Sequence, residues 1–382
     1  MPDEPPAFLS DPVLRALLRV LPGARVVGGA VRDALAGRPV ADVDVATPWT
    51  PDVVAKALAE AGLRSAPTGL DHGTLTAVVG HRGFEVTTLR RDVQTDGRHA
   101  VVAFTDDWAE DAARRDFTIN AMSMTPDGEL FDYFGGAADL AAGRVRFVGD
   151  AAARVAEDRL RILRFFRFHA RYGQGEPDAA AVAAIRAAAS GLSLLSPERV
   201  WSELSRILAA PRPAASLSLM AELGVLGAAI PEGADPARLA ALRLPPDPVL
   251  RLAALLTGDA AAFSARLRLS NADRDRLLAL RGGPVPREQD DDAALRRMLA
   301  DEDAGVLAGR VLLAGGPEAL CDRLQATPRP VFPLEGRHAL ALGVPPGPRV
   351  GELLRAVRAW WTEGGCVADA QACAAELAAR VR

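Results

Sequence analysis

The sequence predicts an α+β fold: a mixed unit built on a small sheet to about Phe147, followed by a remainder made only of helices. Three observations carry that prediction. Short runs rich in β-branched residues occur in the first part, among them "ARVVGG", "DVDVAT", "GTLTAVVG" and "FEVTTLR". After Gly149 such runs vanish, and helical segments follow one another, broken at Gly173, Ser196-Pro197, Pro211-Pro213, Pro231 and Pro245-Pro246. Alanine is abundant while aromatic residues make up only 5%, a balance that favours many short helices with Ala and Leu on their inner faces.

Taken in order, "DPVLRALLRV" has helical spacing and "ARVVGG" is a short strand ending on two glycines. "AVRDALAG" reads as a helix closed by Gly37, and "DVDVAT" as a strand. "PDVVAKALAEAG" is a helix with Pro51 in its first turn and Gly62 behind it. "GTLTAVVG" and "FEVTTLR" alternate around "HRG" and predict a hairpin. "DAAARVAEDRLRILRFFRFHARYG" opens the helical series. Further on, "LSNADRDRLLALRGG" is a helix with Ser270 as its cap and Asp273 three residues later. "FPLEGRHALALGVPPGPRVGELLRAVRAWW" supplies a Gly/Pro loop and one or two last amphipathic helices. No internal repeat is visible.

At 382 residues the chain exceeds one ordinary domain. Its 49% hydrophobic and 25% charged residues describe a well-packed soluble protein. No segment offers the roughly 18 apolar residues that a membrane span needs. "MPDEPPAFLSDP" is acidic and Pro-rich, unlike a secretory signal. Cys321, Cys366 and Cys373 fit no zinc spacing, and so sparse a set suits a reducing cytoplasm. The five histidines form no metal motif. A net charge of -4 does not support a basic nucleic-acid coat but leaves RNA binding open.

The stretch "VVGGAVRDALAGRPVADVDVAT" (Val26 to Thr47) carries chemistry. Alternation along a strand puts Asp42 and Asp44 on one face. Two hard carboxylates unneutralised by Lys or Arg suit Mg²⁺, which keeps waters and completes its shell from substrate phosphates. Gly28 and Gly29 let backbone N–H groups approach a triphosphate at the start of a helix. Glu85 in "FEVTTLR" is a third acid, on a strand that can pair beside the first. Three acids on adjacent strands match two-metal phosphoryl transfer. Alone, a DxD pair is also common on surface turns.

Further motifs follow in order: "RRDFTINAM", "FDYFGGAADL" and "EDRLRILRFFRF". With "GGAVRD…DVD" they resemble the class II CCA-adding enzymes (tRNA nucleotidyltransferases) of the polymerase β superfamily and the related bacterial poly(A) polymerases, over about Val26 to Leu204. The resemblance implies a polymerase β-like nucleotidyltransferase head at 1–147 with a small mixed sheet. A helical neck at 148–210, a body at 211–330 and a tRNA-gripping tail at 331–382 would follow it. It implies that Gly28, Gly29, Arg32 and Asp33 frame the nucleotide phosphates. Asp42 and Asp44 would bind Mg²⁺, with Glu85 as third carboxylate. Asp116 would hydrogen-bond the ribose, with Arg115 and Asn120 in the same pocket. Gly135 and Gly136 correspond to a hinge, with Asp139 able to cap the next helix.

By the same resemblance Asp158 and Arg161 act as an amino-acid template, and Glu157 holds the guanidinium. The chemistry is consistent with that. A carboxylate accepts from the exocyclic amine of cytosine or adenine while arginine donates to the adjacent ring nitrogen; uracil and guanine reverse both contacts. A surface i,i+4 ion pair is the plainer reading of such a spacing. Arg164 and Arg167 could meet triphosphate or RNA, and Phe165, Phe166 and Phe168 read as core. Arg199 and Glu203 in "SPERVWSEL" would brace the templating helix. "VQTDGRHAVVAF" corresponds to the mobile loop needed to change from CTP to ATP. Arg349 and Arg355 are candidate phosphate contacts in the tail. The implied partners are tRNA, CTP and ATP, with no protein partner. A poly(A) polymerase is the alternative; its relatives tend to carry "EDPVR" and a basic extension, where this chain reads "EDRLR" and has no basic tail. A non-catalytic tRNA-binding scaffold would be expected to lose a carboxylate, and both aspartates are present.

Overall fold

A computed structural model of the chain describes residues 5–95 and 100–382. It divides into two compact units, one ending at Pro231 and one spanning Glu232–Arg382.

The first unit opens with helix α1 (Pro12–Val20), strand β1 (Arg25–Val27), helix α2 (Gly29–Leu35) and strand β2 (Asp44–Thr47). Helix α3 (Pro51–Glu60) follows, with proline at its first position as expected. Then come β3 (Arg64–Gly69), β4 (Thr74–Val79) and β5 (Arg82–Thr88). The β4–β5 hairpin turns at Gly80 and His81, both at positive φ (54° and 70°), the backbone that a two-residue hairpin loop requires. Strands β6 (Arg90–Thr95) and β7 (Ala100–Phe104) form a separate antiparallel ribbon. Part of the segment matched to a mobile loop, 96–99, lies outside the described residues. Helix α4 (Trp108–Ala113), β8 (Met122–Met124), β9 (Leu130–Asp132) and α5 (Gly136–Ala141) complete the head.

The seven-stranded sheet runs β3-β4-β5-β2-β1-β8-β9. β2 and β5 are parallel, and the other pairs are antiparallel. One face is covered by α1 and α3, whose Leu14, Leu17, Val54 and Leu58 pack on Val26, Val45, Leu75 and Val86. The other face keeps room for a site. The strand expected over "DVDVAT" begins only at Asp44. Asp42 precedes it and is exposed, so the strand alternation that was to align the two aspartates does not reach it.

Beyond the head lie α6 (Ala151–Glu157), α7 (Leu160–Tyr172), α8 (Ala179–Ala188), α9 (Pro197–Leu208), α10 (Pro213–Glu222) and α11 (Val225–Ala229). The segment expected to act as a template is not one continuous helix. The chain breaks at Asp158, which is extended (φ -149°, ψ 109°), and the Asp158 carboxylate accepts the Leu160 N–H at 2.9 Å at the entry to α7. That local bond competes with helix continuation. Phe165 and Phe166 are fully buried and Phe168 nearly so, in agreement with the core reading. Phe117 and Phe147 stack on this group, with ring centroids 4.8 Å apart for that pair and 6.1 Å for Phe147–Phe165.

The second unit is helical throughout its described length apart from loops and an isolated bridge. Helices Asp292–Asp301, Ala304–Leu313 and Glu318–Ala326 share a core of Leu295, Leu299, Leu307 and Leu324. Helices Gly336–Ala341, Pro348–Glu363 and Ala370–Val381 close around Val357, Trp361 and Leu377. Ser270 accepts the Asp273 N–H at 3.1 Å, the cap read from the sequence.

Candidate active site

A cavity of about 620 Å³ opens on the free face of the sheet. Its floor is β2 and β5. The parallel register pairs Val45 with Val86, so Asp44 and Glu85, one residue earlier on each strand, stand side by side and both line the cavity. Burial, then the charges of Glu85 and Asp42, push the Asp44 carboxyl above its ordinary range, and Arg115 opposes them. Like charges gathered in this way stabilise a bound cation. Among the described residues no group of three or more acid, histidine or cysteine side chains forms a ready cage for one. The donor set therefore fits an ion that takes two carboxylates and draws the rest of its shell from phosphate and water, as Mg²⁺ does. Asp42 is close enough to influence Asp44 but stands off the cavity wall.

The Gly-Gly pair divides its work. Gly28 has φ 67° and ψ -118°, a conformation that suits glycine alone. A Cβ there would meet the Arg115 guanidinium at 2.9 Å. Gly29 has ordinary helical φ and is the first residue of α2; nothing lies closer to its virtual Cβ than Arg32 at 3.6 Å. Both line the cavity with Arg32. Arg32 donates to Asn120 Oδ1 at 2.6 Å and pairs with Asp33 at 3.1 Å. Asp33 does not line the cavity; it holds Arg32 from behind and accepts the Tyr172 hydroxyl.

Asp116 is buried on the cavity wall. Burial pushes its carboxyl up, but the Arg164 charge, the Asn120 amide (2.9 Å) and the Phe117 N–H together hold it below the ordinary range. Arg115 is tied to Asp111 at 3.3 Å. Arg167 forms an ion pair with Glu203 at 3.1 Å, and burial pushes its guanidinium down to about 10.

Across from the carboxylates stands the α6–α7 junction. Asp158 and Arg161 both line the cavity. Glu157 accepts from Arg161 and from Arg154, the latter at 2.8 Å. Burial raises the Glu157 carboxyl, and these two guanidiniums win, holding it low. Arg161 also donates to the Arg154 carbonyl at 2.9 Å. Arg199 binds Asp158 at 2.6 Å. Arg199 and Glu203 thus brace α7 through separate partners, Asp158 and Arg167, rather than through each other.

Asp139 does not cap a helix. It is buried inside α5, accepting from Thr118 at 2.7 Å and Arg146 at 2.9 Å. The helix that follows is capped by Asp150, which accepts the Ala153 N–H at 2.7 Å, while the first N–H groups of α5, those of Gly136 and Ala137, go to the Asp132 carboxylate at 2.8 and 2.9 Å. Gly136 has a packing reason to be glycine: a Cβ would lie 2.1 Å from the Thr118 carbonyl. Sequence reasoning passed over Thr87, Thr74, Arg90 and Tyr172. Thr87 shares the strand face of Glu85 and could have been found by its spacing of two.

Paired acids on a small mixed sheet, a Gly-Gly turn beside them and an arginine-lined cavity define a nucleotidyltransferase head. Residues 24–146 match the family described as "Poly A polymerase head domain", and residues 176–235 match "Probable RNA and SrmB- binding site of polymerase A". The chain is 39% identical over 358 residues to the mitochondrial CCA tRNA nucleotidyltransferase 1 of Danio rerio, covering 88% of this chain and 83% of that one. The Homo sapiens counterpart is 37% identical over 364 residues (89% and 83%). The crystal structure of the Bacillus stearothermophilus CCA-adding enzyme in complex with CTP superposes with a TM-score of 0.80 at 27% identity, covering 99% and 98% of the two chains. The chain belongs to the CCA tRNA nucleotidyltransferase family.

Proposed function

We propose that this enzyme builds or repairs the 3′-terminal CCA of tRNA from CTP and ATP without a nucleic-acid template. The observation that carries the proposal is one cavity holding both the Asp44–Glu85 pair and the Asp158–Arg161 pair. The similar proteins are named for CCA addition, and one is described with CTP bound.

Asp44 and Glu85, with Asp42 close enough to join Asp44, would hold Mg²⁺, which supplies activation of the attacking 3′ hydroxyl and neutralises the leaving pyrophosphate. The remaining work falls to the chain. Gly28 and Gly29 leave the backbone open to the triphosphate, and Arg32 and Arg164 bring guanidiniums to it. Asp116 positions Arg164 and Asn120, and its place on the wall suits the ribose. Asp158 presents an acceptor and Arg161 donors to the base edge. Arg199 and Glu157 fix the two side chains without exhausting them, since a carboxylate has about four lone-pair sites and a guanidinium five N–H donors. Wrong bases leave those groups buried and unpaired, which is how large selectivity arises, on the order of 10⁴ or more.

We keep the cytoplasm as its compartment, in line with three buried free cysteines; the similar vertebrate enzymes are mitochondrial by name. Among the described residues no helix is long and apolar enough to cross a membrane. The test is extension of tRNA transcripts ending before CCA, after C and after CC. CTP and ATP are supplied singly and together, with an unrelated RNA as control. Growth that stops after one terminal A on tRNA is expected; long A tracts on any RNA would instead make the protein a poly(A) polymerase.

A further inference from the structure

A second cavity, of about 420 Å³, lies in the first unit among the end of α2, the β9–α5 region, the last turn of α7 and the start of α10. Its floor includes Leu35, Leu130 and Leu140, and three guanidiniums, Arg38, Arg171 and Arg212, reach it from three different elements. No acidic residue lines it. Arg38 donates to the Arg171 carbonyl at 2.7 Å and lies over the Tyr172 ring at 4.9 Å. None of the three guanidiniums forms an ion pair among the described residues, although most arginines of the catalytic cavity do. Three uncompensated positive charges brought together in a chain of net charge -4 raise the local potential, and an anion relieves their repulsion.

We propose that this cavity binds a nucleotide unit through its phosphate, with Arg38, Arg171 and Arg212 as the phosphate ligands and the leucine floor under the nucleoside. The volume falls in the ordinary range for small-molecule sites, roughly 300–1,000 Å³. Guanidiniums make the forked, charge-assisted hydrogen bonds that phosphate prefers, and the apolar floor distinguishes a nucleotide from a bare inorganic ion. The same chemistry can come from a free nucleotide or from one nucleotide of an RNA chain. The site is separate from the catalytic cavity and does not depend on the catalytic reading.

The test is titration calorimetry with AMP on the full chain, in EDTA and without CTP, which would compete for a site that holds a nucleotide by its phosphate. Wild type is expected to bind one equivalent of AMP beyond any held in the catalytic cavity. In Arg171→Gln/Arg212→Gln, both at exposed positions, that binding should weaken by about tenfold or more, while the rate of CTP incorporation and the melting temperature stay unchanged. Leu140→Gln, which alters the floor and leaves the arginines, should weaken AMP and spare inorganic phosphate. Addition of a tRNA minihelix then separates the sources: displacement of AMP assigns the site to an RNA nucleotide, and persistence assigns it to a free one. AMP isotherms that are the same in wild type and in the double variant, or absent from both, overturn the proposal.

Discussion

Replacing Gly28 and Gly29 by alanine, one at a time, separates two reasons for the same dipeptide. At Gly28 the backbone sits at φ 67° and the new Cβ would meet Arg115 at 2.9 Å. The backbone alone costs about 1–3 kcal/mol. Arg115 must also move from Asp111 and from the Asn120 carbonyl, which it reaches at 3.3 and 3.4 Å, for roughly another 1 kcal/mol. A loss of about 2–4 kcal/mol is expected, and thermal melts of the apo protein should fall by about 2–4 °C per kcal/mol. At Gly29 the nearest atom is 3.6 Å away and the residue is helical, so alanine should be neutral or raise stability by up to about 1 kcal/mol. Steady-state kinetics then read the second role. If Gly29 gives the triphosphate its close approach, Gly29→Ala lowers kcat/KM by about tenfold or more at unchanged melting temperature. A Gly28→Ala protein as stable as wild type would refute the conformational argument.

Further expectations concern the acids and the proposed template arginine. Asp44→Ala should reduce incorporation of both C and A to background while tRNA retention on filters stays near wild type; retained turnover removes the metal assignment. Arg161→Ala should compress the preference for CTP and ATP over UTP and GTP by about a hundredfold or more, measured as ratios of kcat/KM, with tRNA affinity little changed. Because the Asp116 carboxyl is held low when folded, its contribution is present above the unfolded pKa of about 3.9 and is lost as pH falls through the lower folded value. Asp116→Asn should therefore cost about 2–3 kcal/mol at neutral pH, the Arg164 side chain being 32% exposed. The gap from wild type should narrow in acid melts below about pH 4.

The mixed head and the helical remainder were legible because hydrophobic period changes from two to 3.6 near Gly149, and nearly every helix began or ended on a Pro, Gly or Asp signal. Met122–Met124 and Leu130–Asp132 were not, since three residues are too few to show a period. Arg64–Gly69 was missed because it is a mostly exposed edge with no apolar face. In the site, the Asp44–Glu85 neighbourhood followed from two strands able to pair. The break at Asp158 did not, because "AEDRLRIL" has good helical composition and only a side-chain bond to Leu160 ends the first helix. Long-range braces such as Arg199 to Asp158, 41 residues apart, have no local signature.

The aromatic stack between the head and α7 bears on any attempt to excise the catalytic part. Composition changes at Phe147, an inviting place to cut, yet that ring is 1% exposed and lies against Phe165. A fragment ending there would leave Phe117 and Phe147 naked to water and lose Arg164, the main charge partner of Asp116. Head and α7 share one apolar core, so swapping heads between relatives should succeed only when α7 travels with them.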